Sequence, residues 1–454
     1  MAMRHSRREF IQGCAAIVGG ATMTQSIIDA SAASQDAPLT NWAGNYRYRT
    51  SSLTSATSLT QVQDFIRQHD HLRVLGTRHC FNDIADSTAH LLSLREMHEV
   101  VKLDETARTV TVGAGASYGQ LCPYLHQHGF ALHNLASLPH ISIAGACATA
   151  THGSGVTNGN LATAVVALEI VTASGEVLHV SRDNDPDLFH GCVVNLGALG
   201  AVTTVTLALQ PTFDVRQDVY LDMPMAQVAD HFEAIVSAGY SVSLFTDWQH
   251  GNVNEVWIKR RLDQGVIAAA PEFYGARAAT KNVHPIVELS AENCTEQLGV
   301  PGPWFDRLPH FRMGFTPSSG KELQSEYFVP RKNAVEAIAA VERLRDSVSP
   351  LLMITELRTI AADDLWISTA YKRDSLAIHF TWKPEWESVR KVLPMIEREL
   401  APFDVRPHWG KLFTLAPATL RSRYERMDGF KQLVAKYDPG GKFRNEFLTT
   451  NLYS

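Results

Sequence analysis

The sequence lacks the patterns that would place it in several common classes of protein. No stretch approaches about 18 uninterrupted apolar residues, so no membrane span is predicted. The net charge is −6, and without a basic excess a nucleic-acid partner is not expected. No GxGxxG follows a predicted strand, and the glycine-rich stretch around Ser154 lacks the GxSxG of a hydrolase nucleophile elbow, because His152 lies two residues before that serine. These absences favour a small-molecule partner and disfavour a glycine-loop hydrolase.

Cysteine is scarce and its spacing is uninformative. The chain has six, with no CxxC pair, and one of them lies in a segment that we expect to be removed. An odd number of widely spaced cysteines argues against both a disulfide framework and a zinc site. We expect the remaining five to be mostly buried small apolar side chains: Cys80, Cys122, Cys147, Cys192 and Cys294.

The N-terminus differs in composition from the rest of the chain. Arg7 and Arg8 precede a weakly apolar stretch that ends near Met23, and the small residues Ala30 to Ala32 follow. This order is typical of a signal peptide for the twin-arginine route, here residues 1–34, and the alternative is a basic tail. The sequence thus predicts export to the periplasm or the exterior.

The mature chain of about 420 residues is too long for one core, so two domains are predicted. Strand-like and helical runs alternate, with many glycines between them, which indicates an α+β fold. Helices are predicted at 59–69, 118–128, 227–238, 332–347 and 386–400, and strands at 73–75, 109–112, 165–172, 177–180, 215–222, 353–360 and 376–382. The stretch 265–315 is rich in proline and glycine and has little periodicity. We place the domain boundary near residue 212.

Two glycine-containing segments could bind a cofactor. Gly76 to Asn82 follows a predicted strand, and such a turn can cradle a phosphate while presenting His79. Between Ala136 and Gly155 small residues dominate, and these allow close approach of the backbone to a planar ligand. The plainer interpretations are an ordinary turn with an incidental histidine and a tightly packed glycine-rich loop.

Two strands and one loop could bind a polyhydroxylated ligand. Glu356 and Arg358 are two residues apart and therefore share one face of their strand, as do His379 and Thr381. The alternative is a solvated sheet face. The loop that contains Lys411 could supply a lysine whose pKa is lowered by burial, or could be a surface turn.

Taken together and in this order, the segments resemble the vanillyl-alcohol oxidase (PCMH) type of FAD-binding flavoprotein, and within it the alditol oxidases. The resemblance runs from Asn41 to Phe443 and includes the blocks 241–248 and 293–297. It implies a two-domain α+β fold with an FAD-binding domain at 35–212, an α+β substrate (cap) domain at 213–417 and a C-terminal segment, 418–454, that returns to the first domain.

The resemblance also implies site residues. His79 matches the histidine that bonds covalently to the flavin 8α-methyl group, although Thr77, Arg78 and Cys80 stand where alditol oxidases usually have Ser, Gly and Ser. The implied FAD contacts are Val74, Leu75, Gly76, Thr77, Arg78, His79, Cys80, Ser137, Ser142, Gly145, Thr149, Ala150, Thr151, His152, Val202 and His408. The implied substrate contacts are Ser137, Glu356, Arg358, Thr381 and Lys411.

The implied reaction is hydride transfer from a terminal carbinol carbon of a polyol to flavin N5, followed by reduction of dioxygen to hydrogen peroxide. Lys411, assisted by Arg358 or His379, is expected to help remove the hydroxyl proton. Ala136 lies where family members are thought to gate oxygen. The alternatives are a gulono- or arabinono-lactone oxidase or dehydrogenase, and a periplasmic flavin- or sugar-binding protein without turnover. A monomer without metal is expected.

Overall fold

The structure is a computed structural model that describes residues 38–265, 269–314 and 321–454. The predicted signal peptide, 1–34, lies outside the described residues. The strands are β1 (Leu53–Ser55), β2 (Leu72–Leu75), β3 (His90–Ser93), β4 (Val100–Asp104), β5 (Thr109–Gly113), β6 (Phe130–Ala131), β7 (Val165–Val171), β8 (Val177–Ser181), β9 (Ala201–Ala208), β10 (Gln210–Pro211), β11 (Asp214–Pro224), β12 (Ser241–Thr246), β13 (Asn252–Arg261), β14 (Glu272–Phe273), β15 (Ala276–Ala278), β16 (Gly302–Pro303), β17 (Leu323–Pro330), β18 (Leu352–Ile360), β19 (Ser375–Trp382) and β20 (Arg406–Pro407).

The α-helices are α1 (Leu59–Gln68), α2 (Tyr118–Gln127), α3 (Ile143–Ala148), α4 (Pro186–Val193), α5 (Met225–Val236), α6 (Trp304–Arg307), α7 (Ala334–Glu342), α8 (Arg345–Val348), α9 (Trp386–Leu400), α10 (Pro417–Ser422), α11 (Met427–Tyr437) and α12 (Glu446–Leu448). Local sequence explains several of their starts. Ser58 caps α1 by accepting from the Gln61 N–H, and Ser117 and Gln120 form a reciprocal capping box at α2.

Within the described residues the strands form four sheets. A parallel sheet has the order β1-β3-β2, an antiparallel sheet has the order β4-β5-β9-β7-β8, and β6 pairs with β10. The fourth, which we call the large sheet, has the order β14-β15-β11-β13-β12-β18-β19-β17-β20, with β16 beside β11. All strands of the large sheet come from residues 214–407, and those of the other three from 53–211.

The two faces of the large sheet differ in what covers them. On one face, Leu244, Val256, Leu357 and Ile378 belong to an apolar cluster that also contains the buried sides of α5, α7 and α9. α9 shows why it packs there: its buried apolar residues recur at helical spacing, Val389, Val392, Leu393, Ile396 and Leu400. Because side chains alternate along a strand, the intervening residues of these strands project from the opposite face.

Most predicted elements are present, with two differences. The helix predicted at 332–347 is interrupted at Arg343 and Leu344, so α7 and α8 are separate. The stretch 265–315 contains the short elements β14 to β16 and α6, which its proline and glycine content concealed. Residues 39–454 form one compact unit in the structure, and the predicted boundary near 212 stays a prediction. No helix in the described ranges has the length and apolar character needed to span a bilayer.

Candidate active site

The face of the large sheet away from the helices carries a row of polar side chains, which we call the polar face. Strand register places Glu326 of β17 opposite His379 of β19, and His379 opposite Glu356 of β18. Arg358 and Thr381 follow two residues further along the same strands. These five residues are at most 7% exposed, so the solvated-face alternative is wrong. Burial of this many polar groups requires that they satisfy one another.

Glu326 is the centre of this network. Its Oε2 accepts from Lys411 Nζ at 2.8 Å, while Oε1 accepts from Arg358 Nη2 at 3.1 Å and contacts His152 Nε2 at 3.1 Å. Burial alone would raise the pKa of Glu326, but Lys411 and His152 outweigh it and hold that pKa well below its ordinary value. The carboxylate is therefore ionised and fixes the positions of two cations.

In the part of the chain that the structure describes, only one of the two carboxylate oxygens of Glu356, Oε1, contacts its neighbours. Its Oε1 lies 2.7 Å from His310 Nε2 and 3.4 Å from Arg358 Nε. Within the described residues Oε2 has no hydrogen-bond partner. Burial would raise the pKa of Glu356, but Arg358 and His310 reverse this and lower it below its usual range. An ionised oxygen is thus left available to accept a hydrogen bond from a ligand.

Lys411, His379 and Thr381 form a proton-sharing chain. Lys411 Nζ lies 2.7 Å from His379 Nδ1, and His379 Nε2 lies 3.1 Å from Thr381 Oγ1. Burial and the adjacent Lys411 lower the pKa of His379 to about 4, so the ring is neutral near pH 7. Burial also lowers the pKa of Lys411, although Glu326 opposes that shift. With an ammonium on Lys411, His379 accepts at Nδ1 and donates from Nε2 to Thr381, which leaves the threonine hydrogen free to reach a ligand.

The glycine-rich segment, residues 137–155, lies against the polar face. Arg358 Nη1 donates to Ser137 Oγ at 3.3 Å, and His152 Nε2 contacts Glu326 as described. The segment also meets the loop after β2, because the Ser142 N–H donates to Thr77 Oγ1 at 3.1 Å. A Cβ on Gly76 or Gly145 would lie 3.0 or 2.8 Å from Ser142 Oγ, so glycine at these positions allows the close approach without displacing the serine hydroxyl.

The loop after β2, residues 76–82, connects this segment to Lys411. The Phe81 N–H donates to Gly410 O at 2.8 Å, and Asn82 Nδ2 donates to Lys411 O at 2.8 Å. His79 stacks on Trp42, with ring centroids 5.2 Å apart. Arg78 has φ +65°, in the left-handed region that favours glycine, and glycine is the residue that the resemblance implies at this position.

Three comparisons with known proteins bear on this site. Residues 52–181 match the FAD binding domain family, and residues 317–451 match the D-arabinono-1,4-lactone oxidase family. The alditol oxidase of Streptomyces sp. (strain IKD472) is 47% identical over 413 residues, which are 90% of this chain and 98% of that protein. The chain belongs to the alditol oxidase family of FAD-dependent oxidoreductases.

More distant relatives agree with this assignment. The L-gulono-1,4-lactone dehydrogenase of Mycobacterium tuberculosis is 30% identical over 90% of this chain and 97% of its own. The solved structure of cholesterol oxidase from B. sterolicum has a TM-score of 0.74, covers 91% of this chain and 96% of its own, and is 16% identical. That likeness concerns the fold, which is the α+β fold of vanillyl-alcohol oxidase-type flavoproteins.

The residues of this family member fit FAD. The two segments assigned to the flavin meet at Ser142, whose N–H donates to Thr77 Oγ1 and whose Oγ lies 3.0 Å from where a Cβ on Gly76 would be, so the glycine lets the two backbones approach closely. Thr149 and Thr151 lie at the end of α3 with their hydroxyl oxygens 3.1 Å apart, and Ala150 between them has φ +54°.

The other implied flavin contacts lie on three further elements. Val202 is on β9, and the Gly410 N–H donates to His408 Nδ1 at 3.0 Å. Val74 and Leu75 end β2, and Cys80 lies beside Gly410.

All five predicted substrate contacts lie together, since Ser137, Glu356, Arg358, Thr381 and Lys411 are joined through the contacts given above. No pattern in the sequence indicated Glu326, which pairs with His152, or His310 and Lys259. Glu326 gave no signal because β17 is buried on both faces, so its residues do not alternate between apolar and polar. His310 and Lys259 are far from Glu356 in the sequence, and residue spacing does not predict contacts over such a separation. The four cysteines other than Cys80 are buried and all five described ones are free, as predicted.

Proposed function

We propose that this chain oxidises the terminal primary hydroxyl of an alditol of the xylitol or sorbitol type and reduces dioxygen to hydrogen peroxide. The observation that carries the proposal is the charge balance of the polar face. Among the charged groups of the polar face and Lys411, Glu326 and Glu356 offset Arg358 and Lys411, so these four groups present no excess charge to an acid or a phosphate. It does have acceptors and donors in close alternation, which suits a neutral chain of hydroxyl groups.

Each residue of the polar face has a definite task in this proposal. Glu356 Oε2 accepts a hydrogen bond from a hydroxyl along the substrate chain, while Thr381 and Ser137 donate to or accept from its neighbours. Arg358 is held between Glu326 and Glu356 and keeps both carboxylates ionised. A substrate lacking one hydroxyl would leave a buried polar group unpaired, and this is the source of specificity.

Proton removal is assigned to Lys411 and His379. Bound FAD supplies the acceptor for the hydride that leaves the carbinol carbon. Lys411 Nζ, 2.8 Å from Glu326 and 2.7 Å from His379 Nδ1, can pass a proton to the neutral imidazole and receive one from the substrate hydroxyl. The ionised Glu326 stabilises the extra positive charge that the pair acquires.

A covalent 8α-histidyl bond at His79 forms part of the proposal. Burial lowers the pKa of His79 to about 3, which keeps the imidazole unprotonated and therefore nucleophilic. Trp42 orients the ring by stacking, and the Trp42 N–H donates to Arg78 O at 2.8 Å. The test is to denature the protein in acid, separate it on a denaturing gel and look for flavin fluorescence at the protein band, with His79→Ala beside it. A dark wild-type band refutes the tether, and the exposed-histidine variant His128→Ala is the matched control.

The activity test compares two substrate classes. Purified holoenzyme is assayed for peroxide with xylitol, sorbitol, L-gulono-1,4-lactone and D-arabinono-1,4-lactone. The proposal expects turnover with the alditols and a lower kcat/KM with the lactones. The reverse order supports the second candidate, a lactone oxidase, which the match of residues 317–451 favours. A lactone that bleaches the flavin anaerobically but yields no peroxide in air supports a lactone dehydrogenase. Anaerobic bleaching of the flavin by an alditol excludes a binding protein without turnover.

Export by the twin-arginine route and a monomeric state are proposed on the sequence alone. Expression in a bacterium that has the translocase should place the holoprotein outside the cytoplasm, and replacement of Arg7 and Arg8 by lysine should retain it inside. Equal distribution of both forms would refute the route. Sedimentation equilibrium of the mature chain tests the monomer.

A further inference from the structure

Lys259 is a buried lysine that no part of the proposed reaction uses. It lies on β13, on the same side of the large sheet as the polar face, and is 1% exposed. Its Nζ donates to Leu308 O at 2.5 Å and to Pro309 O at 3.1 Å, and lies 3.1 Å from His310 Nδ1. Burial of an ammonium costs free energy unless such partners stabilise it. A lysine at this position therefore suggests a function beyond packing.

His310 connects Lys259 to two residues assigned to the substrate. Its Nε2 lies 2.7 Å from Glu356 Oε1, and its backbone N–H donates to Ser137 O at 3.1 Å. Aromatic neighbours fix the ring, because its centroid is 5.2 Å from that of Trp257 and 5.6 Å from that of Phe245. His310 therefore cannot turn without disturbing Glu356.

With Lys259 as an ammonium, counting hydrogens fixes the direction of each bond. An ammonium has three hydrogens, and the three partners of Lys259 take all of them, so His310 Nδ1 accepts. The neutral ring then carries its hydrogen on Nε2 and donates to Glu356 Oε1. If the proton moved from Lys259 to His310, Nε2 would still donate. In both states Oε1 is occupied, and Oε2 is the oxygen left for a ligand.

We propose that Lys259 and His310 are positioning residues that hold Glu356 with Oε2 toward the substrate and so set the affinity for the hydroxyl chain. This inference rests on the proposed function, because it takes Glu356 to bind the alditol. It assigns no part of the hydride or proton transfer to either residue. Their loss is therefore expected to raise KM and to leave kcat nearly unchanged.

The experiment measures anaerobic flavin reduction by xylitol in rapid mixing, which separates the half-saturating concentration from the limiting rate. We compare wild-type holoenzyme with His310→Leu, His310→Gln, Lys259→Met and, as a control, the exposed Lys281→Met. His310→Leu is expected to raise the half-saturating concentration about tenfold or more, the effect of losing one hydrogen bond to a charged group, with the limiting rate within about threefold of wild type.

Rescue distinguishes positioning from mere packing. The amide N–H of glutamine can reach the place of Nε2 and donate to Oε1, so His310→Gln is expected to stay within about threefold of wild type. Lys259→Met is expected to fall between the two His310 variants. A glutamine variant no better than leucine, or a loss confined to the limiting rate, would overturn the proposal.

A measurement without substrate separates this inference from the proposed function. In protein labelled with ¹⁵N-histidine, NMR reports the tautomer of His310, whose signals are assigned by their loss in His310→Gln. The arrangement expects Nε2–H, or both nitrogens protonated, in wild type. A neutral Nδ1–H ring overturns the inference even if alditols are oxidised. Wild-type flavin that no alditol bleaches refutes the proposed function, and the role of Glu356 with it, whatever the tautomer.

Discussion

The glycine-rich segment and the polar face meet at one site but differ in the size and charge of their side chains. In the glycine-rich segment, small side chains bring backbone groups close together, as at Ser142, whose Oγ lies within 3.0 Å of where a Cβ on Gly76 or Gly145 would be. On the polar face, long charged side chains project from strands in register, and each is fixed by its neighbours. The first region is vulnerable to added volume, and the second is vulnerable to loss of a partner.

This difference determines how mutations should combine. Glu326 contacts Lys411, Arg358 and His152, so removal of any one of these changes the surroundings of the others. Effects within such a network are not additive. In the glycine-rich segment the contacts are steric and local, so the effects of separate substitutions there on stability should be closer to additive.

The largest effect is expected from Glu326→Leu. It leaves Arg358 and Lys411 buried without their shared carboxylate, and breaking a buried ion pair from one side costs about 3–5 kcal/mol. Urea unfolding should show this loss. The isosteric Glu326→Gln should remain folded and lower kcat about 100-fold, since the charge that fixes Lys411 is absent. The exposed Glu336→Gln on α7 is the control. Unchanged activity in Glu326→Gln would mean that Lys411 is positioned without it.

The complementary test adds volume to the glycine-rich segment. A Cβ on Gly153 would lie 2.3 Å from Leu135 O and 2.4 Å from Asn134 Oδ1, so the backbone must shift in Gly153→Ala. Overpacking of this kind costs about 1–3 kcal/mol. We expect a folded protein with a reduced ratio of flavin to protein absorbance. Gly440→Ala, where a Cβ would meet nothing within 4 Å, should load flavin normally. Equal loading of both variants would show that the segment tolerates displacement.

The same contrast explains what the sequence could predict. Helical periodicity located α9 with its observed ends, and period-two spacing placed Glu356 and Arg358 on one face. Composition alone located the glycine-rich segment. Glu326 could not be found in this way, because β17 is buried on both faces and shows no alternation. His310 contacts Glu356 across 46 residues and lies on a loop after α6, so no periodic spacing predicts the contact.

Glu255 and Glu356 lie in one row of the large sheet, and their pKa values are shifted in opposite directions. Glu356 pairs with Phe245 across the strands, and Phe245 pairs with Glu255. No cation in the described ranges pairs with Glu255, which is buried and accepts from Trp257 Nε1, so burial raises its pKa to about 8. Its favourable contribution to stability is complete below the unfolded pKa of about 4.3 and is lost as the pH rises to about 8.

For Glu356 the folded pKa is lowered, so its contribution is present above about 4.3 and is lost as the pH falls below that value. Glu255→Gln should therefore remove up to about 4 kcal/mol of the decline in unfolding free energy between pH 5 and 8. Glu356→Gln should leave that decline in place. The check is denaturant unfolding of the three proteins across this range, and parallel curves for wild type and Glu255→Gln would contradict the assignment.

The smallest effect concerns the backbone at His79. Arg78 and Arg108 both have positive φ, +65° and +52°, and glycine at such positions relieves about 1 kcal/mol of strain. Arg108→Gly should therefore stabilise the protein by up to about 1 kcal/mol. Arg78→Gly should gain less, because it also removes the bond from Arg78 Nη1 to Thr40 O at 3.1 Å. Thermal unfolding measures both, and flavin fluorescence at the denatured band should persist in Arg78→Gly. Loss of that fluorescence would mean that the arginine, and not the backbone conformation it adopts, is what orients His79.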